Sequence, residues 1–389
     1  MQPTASETVS GGRPPRVAIV AGETSGDQLG AALITALRER CPGIEVRGVC
    51  GPLMLAAGCE PLADAHQLAV MGLVEVLQHL PRLLALRQRL RREFCAWQPD
   101  VFIGIDAPEF NLGLAAQLHA AGLKTVQYVS PQVWAWRERR VRQIAKACDL
   151  VLCLLPFEPI FYARHAVRAQ FVGHPLADQI PLDVDRAGAR RALGLSPDAT
   201  VVALLPGSRV GEVTRLGPDF MSAARTLEER LPGVEFIAPM ASVAVRALFE
   251  RAGAARIRML DGQARSALQA ADVALVASGT ASLEALLCCC PMVVAYRLGW
   301  ATGFLLRALR LVRLPYFSLP NLLAGEALVP EFFQGAVSGP RLAEALQAQL
   351  NDGSRRVMLA RRFRAIHESL RQGGAVRAAN AVLELLAVS

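Results

Sequence analysis

Short runs of Val, Ile and Leu recur along this chain, each followed by a longer stretch with helical spacing. This alternation limits the fold more than any other feature. In the first half the runs are residues 16–21, 46–49, 101–105, 125–129, 150–154 and 169–172, with helix-like stretches at 28–40, 83–95, 112–121 and 138–147. The runs are apolar at successive positions rather than alternate ones, the pattern of parallel strands covered by helices on both faces. Residues 175–200 break the pattern with Pro175, Pro181, Pro197 and several Asp, around a short helix near 186–193. It restarts with runs at 201–205, 235–238, 257–260, 273–276 and 292–296, and residues 339–389 read as helices at 340–350, 355–371 and 374–386. The expected fold is α/β: two Rossmann-like βα domains facing across a cleft, with C-terminal helices. The expected boundaries are 1–15 for a disordered tail, 16–180 and 181–338 for the two domains, and 339–389 for the helices.

Composition narrows the function classes. The length of 389 residues suits two domains, and 52% hydrophobic against 20% charged residues excludes a disordered or fibrous chain. The net charge is +8, yet only Lys124 and Lys146 are lysines, so part of the arginine excess reflects codon usage. The charge favours anionic partners such as phosphates, nucleotides and acidic membrane surfaces. The arginines are spread over both domains, unlike the basic stripe with interleaved aromatics of a nucleic-acid binder, so no nucleic-acid partner is expected. The nine cysteines include a run at 288–290 and no C-x-x-C pair, which argues against disulfides and zinc and for a reducing cytoplasm. The first apolar run, 17–22, is too short for a signal peptide, and 285–296, interrupted by Pro291, falls short of the roughly 20 residues of a membrane span. Asp183-Val184-Asp185 spells a D-x-D, but in the linker rather than after a strand, so it reads as a helix cap. With no other acidic or His cluster at ligand spacing, neither a catalytic metal nor a cofactor is expected.

Chemistry concentrates in loops at the ends of apolar runs, where ligands of open α/β sheets bind. Residues 21–27, Ala-Gly-Glu-Thr-Ser-Gly-Asp, leave a strand and open a helix, with Ser25 as candidate N-cap and Gln28 three residues on. Asp106 ends an apolar strand, where a general base belongs, and Glu109 is the competing carboxylate. Residues 128–137 place Trp134, Trp136 and Arg137 together, and aromatic faces beside cations suit a sugar or acyl-sugar phosphate. Gly207, Ser208 and Arg209 follow the second domain's first strand; glycine lets the backbone approach an anion, and arginine offers bidentate contact to phosphate. Ser278, Gly279 and Thr280 start a helix whose N–H groups suit phosphate, with Glu284 one turn in for ribose hydroxyls. Each loop also reads as an ordinary turn or capped helix.

Taken together and in order, these stretches resemble the lipid-A-disaccharide synthase family, bacterial glycosyltransferases of the GT-B fold. The matching residues are A-G-E-T-S-G-D (21–27), M-G-L-V-E-V-L (71–77), G-I-D-A-P-E-F-N (104–111), Y-V-S-P-Q-V-W-A-W-R (128–137), F-V-G-H-P-L-A-D (171–178), L-P-G-S-R (205–209), A-S-G-T-A (277–281) and S-L-P-N-L-L-A-G (318–325). Glu109 stands where the family often has Asp. The resemblance implies transfer of a 2,3-diacylglucosamine unit from UDP-diacylglucosamine to 2,3-diacylglucosamine 1-phosphate (lipid X), giving the β-1′,6-linked disaccharide phosphate and UDP. It implies an inverting displacement with Asp106 as base. Gly207, Ser208, Arg209, Ser278, Gly279, Thr280, Glu284 and Asn321 would lie on the donor side. Glu23, Ser25, Gly26, Asp27, Trp134 and Arg137 would lie on the acceptor side. Asn321 is placed near the donor by resemblance only, with a homodimer in which it comes from the partner left open.

Acyl chains call for an apolar surface. Val70, Met71, Leu73, Val74, Leu77 and Leu80 recur at helical spacing and are followed by Arg82, Arg87, Arg89, Arg91 and Arg92, which suits a peripheral contact with the anionic inner membrane. A second candidate is 305–314 with Arg307, Arg310 and Arg313. The same pattern fits a core helix with a solvated end. The nearest rival activities are an N-acetylglucosaminyltransferase of peptidoglycan type and a UDP-sugar epimerase.

Overall fold

The computed structural model describes residues 13–68, 73–136, 140–253, 257–298 and 315–387. These form two compact units, one running to Pro175 and rejoined from Gly373, the other Leu176–Gln372. The first unit holds strands β1 (Arg16–Ala21), β2 (Glu45–Cys50), β3 (Glu60–Asp64), β4 (Val101–Ile105), β5 (Lys124–Tyr128), β6 (Leu150–Cys153) and β7 (Ala169–Phe171). Its helices are α1 (Thr24–Arg40), α2 (Pro52–Ala56), α3 (Leu73–Trp97), α4 (Pro108–His119), α5 (Val133–Trp136), α6 (Val141–Ala147) and α7 (Glu158–Ala163). The strands form one parallel sheet in the order β3-β2-β1-β4-β5-β6-β7.

The reason is visible along β1. Val17, Ile19 and Ala21 enter one apolar core while Ala18 and Val20 enter another on the opposite face, so both faces are buried. Every apolar run of the first half became a strand. The strand that the pattern misses is β3, an edge strand of sequence Glu-Pro-Leu-Ala-Asp with one buried residue, Ala63, and too polar to stand out.

The second unit begins with α8 (Pro175–Gln179) and α9 (Arg186–Ala192). Asp185 caps α9 by accepting from the Gly188 N–H at 2.7 Å, and Asp183 pairs with Arg364 at 2.7 Å, so both acids of the D-x-D have partners at the surface. Strands β8 (Val201–Leu205), β9 (Glu235–Met240), β10 (Arg258–Asp261), β11 (Val273–Ala277), β12 (Met292–Tyr296) and β13 (Glu331–Phe333) form a second parallel sheet, order β10-β9-β8-β11-β12-β13. Around it lie α10 (Val210–Arg230), α11 (Val243–Arg251), α12 (Ala264–Ala270), α13 (Thr280–Leu287), α14 (Leu319–Ala324), α15 (Gly339–Asn351) and α16 (Gly353–Leu370). The three-residue edge strand β13 was again missed.

The C-terminal helices divide between the units. The sequence reading kept 339–389 as one block, whereas α17 (Gly374–Ala387) belongs to the first unit. Ala378, Ala379, Val382 and Leu385 share a core with Leu33, Ile34 and Leu37 of α1, and Arg40 donates to the Asn380 side chain at 2.6 Å. Among the described residues no helix is long and apolar enough to cross a membrane.

Candidate active site

Three loops meet at the carboxyl edge of the first sheet, because β1, β4 and β5 are neighbours there. Gly22 allows the first two to touch: a Cβ on it would stand 3.0 Å from the Ala107 Cβ. Helix α1 begins at Thr24 with Glu23 in the N-cap position and no side-chain cap bond. Ser25 is therefore not the cap the sequence suggested; it and Glu23 lie exposed in the first turn. Gly26 is buried against Ala21 and Ile105, which seats the helix on the strands. Asp27 points elsewhere. It is 4% exposed, and its carboxylate accepts from the N–H groups of Gly51, Leu53 and Met54 at 3.0, 2.9 and 3.0 Å. It caps α2, so this acceptor-side candidate has a structural role in the described residues.

Asp106 sits in a strained turn. Asp106 and Ala107 have φ of 49° and 40°, a left-handed pair without glycine, which costs about 1–3 kcal/mol per residue. Side chains from two sides hold it there. The Asp106 carbonyl accepts from Asn111 Nδ2 at 2.9 Å and Gln127 Nε2 at 3.1 Å, and its N–H donates to the Tyr128 carbonyl at 2.9 Å. Pro108 then starts α4. The carboxyl is half-buried, and burial raises it above the ordinary Asp value, with the Ala107 N–H opposing. Glu109 differs: it is exposed and held bidentate by Arg140 at 2.6 and 2.9 Å. Trp134 is anchored by its indole N–H, which donates to Glu158 at 3.1 Å. Arg137 lies outside the described residues.

On the second sheet β8 and β11 are adjacent, which brings the 205–209 and 277–280 loops side by side. Gly207 has φ of 129°, and a Cβ there would lie 2.6 Å from the Glu212 Cβ. The Ser208 and Arg209 N–H groups already hold an internal anion, the Glu212 carboxylate, at 3.1 and 3.3 Å. The Arg209 side chain is exposed. Gly279, φ 152°, precedes α13, with Thr280 exposed and the Ser278 hydroxyl donating to the Phe317 carbonyl at 3.5 Å. Glu284 is half-buried and its carboxyl is raised by burial, with the Arg265 charge opposing.

Asn321 stands apart from this edge group in its chemistry. It is 1% exposed, its Nδ2 donates to the Val329 carbonyl at 2.9 Å and its Oδ1 accepts from the Val329 N–H at 2.8 Å. Within its own chain the amide clamps the turn after α14, so both polar atoms of the donor-side candidate already have backbone partners. Val70 and Met71 lie outside the described residues, as does 305–314, and the side chains of Leu73, Val74 and Leu77 are likewise outside them. Among the described residues no group of three or more His, Cys, Asp or Glu side chains could hold a metal ion.

The fold alone does not separate the rival activities. The calicheamicin glycosyltransferase superposes with a TM-score of 0.59 at 17% identity, covering 97% of this chain and 99% of that one. The UDP-GlcNAc 2-epimerase of Neisseria meningitidis does so at 0.63 and 11%, covering 96% and 100%. Sequence decides. The lipid-A-disaccharide synthetase family model matches residues 17–385. The chain belongs to that family. The lipid-A-disaccharide synthase of Pseudomonas aeruginosa is 53% identical over 375 residues, 95% of this chain and 98% of that protein. That of Chromohalobacter salexigens is 52% identical over 376 residues, 95% and 97%. As a lipid-A-disaccharide synthase family member the chain has the GT-B-like fold expected of it, and the epimerase reading falls away.

Sequence reasoning missed the residues that hold the site of this family member in shape. Asn111 and Gln127, buried polar side chains in apolar surroundings, grip the Asp106 turn. Their signal was a polar residue at an inward position of an otherwise apolar run. Tyr296, Phe317 and Phe333 cluster with centroids 5.7–6.2 Å apart at the end of β12, and nothing in their spacing announced it.

Proposed function

We propose that the chain is an inverting glycosyltransferase that joins UDP-diacylglucosamine to diacylglucosamine 1-phosphate, releasing UDP. The observation that carries this reading is the near-full-length identity with the lipid-A-disaccharide synthases. The acceptor rests on the first sheet's edge, where Asp106 takes the proton from the attacking 6-hydroxyl as the new bond to the donor's C1 forms. A carboxyl raised by burial is the stronger base, and the Arg140 partner makes Glu109 the weaker candidate. Glu23, Ser25 and Trp134 contribute to the acceptor edge. The donor's diphosphate rests on the second unit, where Arg209 and the amides around Ser278, Gly279 and Thr280 offset the charge that grows on the leaving group. Glu284 takes the ribose hydroxyls.

Membrane contact belongs to the same proposal. In α3, Leu86, Leu90 and Phe94 are core residues, while Leu80 and Leu84 are 42% and 43% exposed among arginines. Such a face suits the surface of an anionic bilayer in the cytoplasm. A homodimer is the open alternative within this reading, and sedimentation checks it.

The test is to incubate the protein with both lipid substrates, without added divalent cation, and to look for the disaccharide phosphate. Product from the wild type and none from Asp106→Ala, with UDP binding intact in both, is the expected result. An active Asp106→Ala would remove the base assignment, and no product from the wild type would remove the reading.

A further inference from the structure

Glu158 opens α7 and is 3% exposed, although acids are almost never fully buried without partners. Its two oxygens serve different elements. Oε1 accepts from the Trp134 indole at 3.1 Å and Oε2 from the Leu155 N–H at 3.0 Å. The Ser130 hydroxyl donates to the Pro131 carbonyl at 3.3 Å and lies 3.0 Å from the Tyr162 hydroxyl, on the helix that Glu158 opens. The Trp134 ring stands edge-on to Phe157, centroids 4.8 Å apart.

Ser130 and Trp134 belong to the segment that follows β5, and β5 lies beside β4, whose end carries Asp106. Leu155 and Glu158 follow β6, on the other side of β5. One buried carboxylate thus ties together two successive loops on the acceptor edge. Between β5 and this tie sits Val129, with φ of 76°. A β-branched residue in that region is a steric outlier and persists only where its surroundings over-determine it. Apolar packing alone would fill this space at lower desolvation cost. What the acid adds is two acceptor atoms with fixed directions.

We propose that Glu158 is a positioning residue of the acceptor edge: it fixes the Trp134 indole and with it the 130–136 loop, and so sets how the acylated sugar phosphate is seated. The proposal rests on the reading that the first unit takes the acceptor. Burial raises the Glu158 carboxyl to about 7, against the hydrogen bonds of the Leu155 N–H and the Trp134 indole. The ionisable groups that bear on this site are the Cys153 thiol at the end of β6, the Tyr162 phenol on the same helix and, beyond it, the Cys148 thiol. Burial pushes all three up, so they stay neutral around neutral pH. Protonation of Glu158 turns one acceptor oxygen into a donor and loosens its hold on the indole.

The experiment uses the full chain. Indole emission is titrated through about pH 7, and KM is measured separately for donor and acceptor, in wild type, Glu158→Gln, Glu158→Asp and Trp134→Phe. Loss of one charge-assisted bond predicts about a tenfold rise in acceptor KM for Glu158→Gln and Trp134→Phe, with donor KM and far-UV circular dichroism unchanged. Glu158→Asp should recover part of it. The emission inflection of the wild type should vanish in Glu158→Gln and Trp134→Phe. If Glu158→Gln does not fold, Trp134→Phe, which stays aromatic and deletes the N–H, carries the test. An unchanged acceptor KM in Trp134→Phe, an equal rise for both substrates, or an inflection that survives in Glu158→Gln would overturn the proposal. Asp106→Ala is run alongside. Its activity would remove the base assignment, and no product from the wild type would remove the acceptor reading of this edge, while the emission titration, which needs no substrate, still reads the Glu158–Trp134 contact.

Discussion

Replacing Asp27 by Ala should destabilise the first unit while leaving the exposed faces of the 21–27 loop in place. The carboxylate serves three N–H groups, of Gly51, Leu53 and Met54. Leu53 is 46% exposed, so its amide recovers a water once the acid is gone. Gly51 and Met54 are buried and their amides do not. A buried donor left unmade costs about 1–3 kcal/mol, so the two together predict a loss near 4 kcal/mol. Against a typical domain stability of about 5–15 kcal/mol this is a large fraction. Gly51 adds a steric check, since a Cβ there would lie 2.6 Å from the Asp27 carboxyl carbon. Gly51→Ala should therefore also destabilise, and the double variant should cost less than the sum of the two. Urea unfolding followed by indole emission reports mainly on the correct unit, because three of the four tryptophans, Trp97, Trp134 and Trp136, belong to it, and a Trp300→Phe background removes the fourth. The midpoint should fall with little change in slope, and Asp27→Asn, which keeps one acceptor oxygen, should fall about half as far. A loss below about 1 kcal/mol for Asp27→Ala, together with abolished acceptor binding, would refute the capping account and return Asp27 to the substrate.

Three further outcomes are expected. Activity should require Asp106 ionised; burial raises its carboxyl, so the acid limb of the pH–rate profile should lie above the ordinary Asp value of 3.8, activity falling as pH drops through it. A limb at or below 3.8 would contradict the burial argument. Gly207→Ala should lose most UDP affinity in calorimetry while Asp106→Ala keeps it, because the new methyl meets Glu212 and φ of 129° disfavours any side chain; unchanged affinity would show that the 205–209 loop does not touch the donor. Asn321→Ala should cost about 2–4 kcal/mol in urea unfolding of the second unit, two buried hydrogen bonds being lost, and a variant as stable as wild type would mean that the clamp on Val329 is dispensable.

The strands were legible because parallel sheets between helix layers need unbroken apolar runs, and eleven such runs became strands. The two strands that escaped, β3 and β13, lie at sheet edges, where one side needs no apolar partner. The candidate site was legible only as a set of loops at strand ends. Asp106 was the candidate base with Glu109 as its competitor; that the first is half-buried and the second exposed and paired with Arg140 is a tertiary difference the sequence did not show. That Asp27 and Asn321 bond backbone amides was not legible, because polar residues in Gly- or Pro-containing loops carry the same letters whether they face a ligand or a backbone amide.

The sequence by itself determined the two βα units, their break near residue 175 and the family to which they belong, since periodicity and ordered motifs are local properties of the chain. Tertiary structure decided which polar groups were consumed in folding: Asp27 on α2, Asn321 on Val329, Glu158 between two loops, and α17 returned to α1. Those choices follow from desolvation, because a buried polar atom must find its partner wherever the fold brings one, however far apart the two lie in sequence.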